Sequence, residues 1–90
     1  MIKLLTNLFG YFWPRDADAY VERRAEQSSE NLDTDLSVVD LLKSLGQDSS
    51  YGARARLAAA WGRAGYSGTA GDNIWLHSEI MRRVANRTFP

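Results

Sequence analysis

Ninety residues, 44% of them apolar and 24% charged, make one small globular domain and exclude a wholly disordered chain. The absence of cysteine excludes disulfides, thiolate metal sites and cysteine nucleophiles. Net charge is zero, but residues 1–45 carry five basic and eight acidic side chains, whereas residues 46–90 carry six arginines against three acids. The two halves therefore either pack on one another, meet a second copy, or present two ordinary solvated surfaces, the last being the simplest reading.

In chain order, residues 2–12 form an apolar helix with Ile2, Leu5, Phe9 and Phe12 on one stripe and Leu4, Leu8 and Tyr11 on another. Such a helix must be covered: by the domain's own core, by a second copy, or by a membrane interface with Trp13 and Arg15 at headgroup level. Pro14 is expected to end it, because the ring pushes Trp13 out of the helical region. The segment is too short and too interrupted to span a bilayer. Ala17-Asp18-Ala19 imitates a leader cleavage site, but the neighbouring Pro14, Arg15 and aspartates make cleavage unexpected.

A second helix starts at Asp16 or Asp18, where carboxylates suit the positive end of the helix dipole, and runs to about residue 28 with a thin apolar face of Ala17, Tyr20, Val21 and Ala25. A polar linker at 33–35 follows, dividing an N-terminal arm (1–33) from a compact helical domain (34–90). Ser37, with Asp40 three residues on, resembles a capping box opening a third helix, and Gly46 fits the left-handed position after its end. Asp48, Ser49 and Ser50 supply N-caps for a helix over about 50–63, whose inner face is Tyr51, Ala55, Leu57, Ala58 and Trp61. A Gly-rich turn leads to the last helix, about 71–86, capped by Thr69 or Asp72, with Ile74, Trp75, Leu76, Ile80, Met81 and Val84 as its apolar set. The tail from Asn86 to Pro90 is expected to fray. The fold class is all-α, a small bundle of four to five short helices with no strands.

No catalytic set is assigned. His77 is the lone histidine, and Glu79 lies on a different face of the same helix. It serves either as a base oriented by Asp40 or Asp48, or as a structural residue bonded to a carbonyl or a capping carboxylate, and the structural role is the simpler. A lone His without Cys makes no ordinary zinc site, so neither metal nor cofactor is expected. The arginines at 54, 56, 63, 82, 83 and 87 carry no nucleic-acid-binding signature. Trp61 and Trp75 read as core anchors. Candidate binding residues are Ile2, Leu5, Phe9, Phe12, Trp13, Trp75 and His77.

The pattern Val-Asp-Leu-Leu-Lys-x-Leu-Gly-x-Asp-Ser-Ser over residues 39–50, Ala-Arg-x-x-Leu-Ala over 53–58, the Gly-rich turn and Asn-x-Trp-Leu-His-x-x-Ile-Met over 73–81 together resemble a small family of bacterial and phage-associated proteins classed as a domain of unknown function. The resemblance covers residues 36–86; the turn before Asn73 is shorter than the family's, and residues 1–33 carry no match. It implies a short all-helical unit, sometimes joined to a peptidoglycan-binding module, and it brings no catalytic residue. The expected role is a non-enzymatic interaction module, self-associating or envelope-associated, in the cytoplasm or peripheral to membrane or wall. Its partner is a protein or a second copy, bound through the N-terminal apolar helix, and nucleic acid is not expected. The alternative is a small hydrolase or transferase using His77 with Asp40 or Asp48.

Overall fold

A computed structural model describes residues 8–89, and side chains from residue 17 onward, apart from Pro90. Four α-helices follow one another: α1 (Leu8–Glu26), α2 (Val38–Ser44), α3 (Tyr51–Ala60) and α4 (Ala70–Ala85). No strand occurs among the described residues.

The two helices expected on either side of Pro14 are one. Proline's fixed φ is itself helical, so the ring removes one hydrogen bond, that to the Gly10 carbonyl, without forcing the chain out of the helix. Ala17 and Val21, one turn apart on α1, are buried, so the second half of this helix belongs to the core. The expected apolar residue between them, Tyr20, is 41% exposed. Ile2 and Leu5 lie outside the described residues; Phe9, Phe12 and Trp13 fall within the backbone of α1.

Three helices build the apolar centre. α1 packs against α4 and α2, and α2 packs against α4. Leu41 and Leu42 of α2 and Leu76 and Ile80 of α4 are completely buried, with Val21, Val38, Leu45, Ala58 and Tyr66 around them. Each such aliphatic side chain contributes roughly 2–3 kcal/mol by leaving water.

Local signals fix the helix ends. The Ser37 hydroxyl accepts from the Asp40 amide at 3.1 Å. Asp40 does not close the box on Ser37; its carboxylate accepts from the Asp33 amide at 2.9 Å, while the Asp33 carbonyl accepts from the Ser37 amide. The linker is thereby folded against the start of α2. At the other end, Gly46 (φ +72°) takes the left-handed position, and the Gln47 amide reaches the Leu42 carbonyl at 2.9 Å. α3 ends the same way at Gly62 (φ +98°). α4 also does, but with Arg87 (φ +60°) where the others have glycine, and the Thr88 amide bonds the Arg83 carbonyl at 2.8 Å. The expected frayed tail is consequently folded back, and Phe89 sets its ring edge against Trp61, centroids 6.0 Å apart.

Two helix faces differ from expectation. Tyr51 is 51% and Ile74 is 69% exposed, because each occupies the first turns of its helix, beyond the reach of the three-helix centre. α3 buries only Ala53 and Ala58 fully, and Trp61 just beyond it is half-buried against the core.

Candidate functional site

Polar residues of the second half gather around α3, the Gly-rich turn and the start of α4. Asp48 accepts from the Ser50 amide at 2.9 Å, and the Ser50 hydroxyl accepts from the Ala53 amide at 3.2 Å. The Ser50 amide, and after it the Ser50 hydroxyl, hold the Asp48 carboxyl below the usual carboxylate range. Both groups are occupied with starting α3, as the capping reading expects.

Arg54, one turn into α3, donates through Nε to the Ser49 carbonyl at 3.1 Å. Its Nη1 donates to the Tyr66 hydroxyl at 2.8 Å and to Asn73 Oδ1 at 3.2 Å. The Tyr66 hydroxyl also donates to Asn73 Oδ1, and the Asn73 amide nitrogen donates to the Gly68 carbonyl. One arginine therefore joins α3, the Gly-rich turn and the first turn of α4.

Beside it stands Asp72, a buried carboxylate. Thr69 caps α4 by accepting from the Asp72 amide at 3.1 Å, and Asp72 accepts in return from the Thr69 amide, completing a capping box. Asp72 further accepts from the Ser67 amide at 2.8 Å and pairs with Arg63 Nε at 3.0 Å. The Ser67 amide, then the Arg63 guanidinium and Thr69, hold its carboxyl far below the ordinary range despite burial. Asp72 is thus an ionised structural hub, with no proton to give near neutrality.

Arginines in this half lie on aromatic rings. Arg63 covers Trp75 at 5.1 Å, Arg83 covers Trp61 at 4.2 Å, and Arg54 lies 5.9 Å from the Tyr51 centroid. Trp75 is half-buried, with Arg63 over its ring, so it offers no open ligand platform. The ion pairs among the described residues join Lys43 to Glu30, Arg63 to Asp72, and Arg82 and Arg83 to Glu79. None of these pairs links the acidic first half to the basic second half.

His77, half-buried in the middle of α4, places Nε2 2.6 Å from the Thr34 carbonyl. A carbonyl only accepts, so Nε2 carries the proton and donates. The ring pins the linker before α2 onto α4. It makes no hydrogen bond to Asp40 or Asp48, which serve the Asp33 and Ser50 amides. Next to it opens a shallow groove of about 580 Å³ edged by Asp18, Glu22, Asp35 and Met81. Among the described residues no group of three His, Asp or Glu gathers as metal ligands would, and no helix is long and apolar enough to cross a membrane.

Sequence reasoning located the caps and His77 but missed the Arg54–Tyr66–Asn73 junction. Its members lie 12 and 7 residues apart, on three separate elements, and no helical period links them.

No solved structure matches the chain. Among characterised proteins it is similar to an endolysin of Listeria phage A511, 48% identical over 52 residues. That stretch is 58% of this chain but only 15% of the endolysin. A family model described as "Domain of unknown function (DUF3597)" matches residues 10–88, extending the family unit well N-terminal of residue 36 to include all but the first two residues of α1. With nearly its whole length inside that match, the chain belongs to this family of domains of unknown function.

Proposed function

We propose that this chain is a non-enzymatic interaction module that docks onto the bacterial cell wall. One observation carries the reading: the stretch shared with the phage endolysin is a minor portion of that protein, the size of an accessory segment, and an endolysin works at the wall. The internal chemistry is consistent with it. The polar residues of the family pattern are committed to capping and bracing, and His77 is committed to a backbone carbonyl. The apolar stretch at residues 2–13 supplies a second contact, to a protein partner or another copy. The test is cosedimentation of the purified full chain with intact sacculi, followed by assay of the supernatant for released wall fragments. Binding without release supports the module. Release that His77→Ala abolishes would replace it with the hydrolase reading, and absence of binding would remove the wall from the account.

A further inference from the structure

On the side of α1 away from His77, a groove of about 690 Å³ runs between the end of α1 and the end of α4. Among the described residues its charged edge is Arg23, Arg24 and Arg87, and no carboxylate lines it. The groove on the opposite side of α1 is acidic, so charge is sorted across this helix. Among the described residues none of these three arginines is in an ion pair, unlike Arg63, Arg82 and Arg83. Arg24 is set in place: it donates to the Tyr20 hydroxyl at 2.9 Å, and its Nη2 lies 3.4 Å from where a side chain on Gly46 would start. Arg87 sits at the groove in a left-handed conformation that glycine fills at the ends of α2 and α3. Phe89 and Leu45 give the groove apolar walls.

We propose that this groove binds the oxyanions of an anionic glycan polymer of the wall, with phosphate or carboxylate groups on the arginine forks and sugar carbons along the Phe89 wall. The inference rests on the wall-docking reading for its ligand, while the oxyanion site itself stands on the groove. The test uses the full chain, sacculi with and without their phosphate polymers, and two variants, Arg23→Gln/Arg24→Gln and Arg87→Gly. Arg56→Gln, exposed on α3, is the control. With folding verified by thermal unfolding, the groove variants are expected to lose at least roughly tenfold in retention, the control none. Loss of wild-type binding on stripping assigns the ligand to phosphate, and persistence assigns it to carboxylates. Groove variants that bind like wild type overturn the inference and leave the wall reading intact. DNA competing through these same arginines overturns the glycan assignment. Should wild type ignore sacculi, the wall reading fails; an NMR titration with inorganic tripolyphosphate then decides the groove. Shifts confined to Tyr20, Arg24 and Arg87 support it, and none refutes it.

Discussion

Two parts of this small domain are held together by different physics. α1, α2 and α4 meet through fully buried aliphatic side chains, Leu41, Leu42, Leu76 and Ile80 among them. α3 contributes little apolar area; it is fastened by Arg54 to Tyr66 and Asn73, by Arg63 just beyond it to Asp72, and by Trp61 under Arg83. Buried area binds without regard to direction, whereas a hydrogen-bonded corner fixes one geometry and fails as a unit when a member is lost. A domain of this size has too small a core to cover every helix fully, and the polar corner holds the one that the core reaches least.

The contrast can be broken from either side. Leu76→Ala empties a completely buried position at the centre of α4 and should cost about 3 kcal/mol, lowering Tm by on the order of 15 °C. A loss below 1 kcal/mol (roughly) would mean that the centre collapses onto the gap and is not close-packed. Asp72→Asn should follow, because it weakens the cap of α4 and unpairs Arg63 together. Its signature is in pH. A carboxyl whose folded value lies below its unfolded value, about 3.9, stabilises the fold above that value and stops doing so as pH falls toward the folded one. Wild type should therefore lose more Tm than Asp72→Asn on acidification from about pH 5 to 2, the two curves converging at the acid end. Parallel curves would remove Asp72 as the hub.

Smaller changes sharpen the same picture. Thr69→Ala removes one half of the capping box and should cost about 1 kcal/mol, measured by urea unfolding. Arg87→Gly should move in the opposite direction, gaining about 1 kcal/mol by relieving the left-handed backbone. A loss there would show that Arg87 is held by contacts that offset its strain.

Much of the core was legible because it follows local rules. Ser37, Ser50 and Thr69 cap, Gly46 closes α2, and Leu76 and Ile80 recur one turn apart. What misled was context. Pro14 carries a strong breaking signal, yet the helix runs through it. Ile74 and Tyr51 match the apolar pattern but sit where no partner helix reaches. Arg87 gave no warning, since the left-handed turn at the end of α4 is imposed by the Arg83 and Val84 carbonyls on a residue of ordinary propensity. For the candidate site, His77 was found by its rarity and its carbonyl partner was anticipated in kind. The junction of Arg54, Tyr66 and Asn73 needs three elements to be placed first, and no single stretch of chain encodes that.

The most direct test of the division between core and corner is native-state hydrogen exchange of wild type against Asn73→Ala, which removes the acceptor shared by Arg54 and Tyr66. Amides inside α3 should lose protection while those of Leu42, Val21 and Ile80 keep theirs to within the change in global stability. Equal loss in all four helices would contradict it, making α3 an ordinary part of one cooperative core.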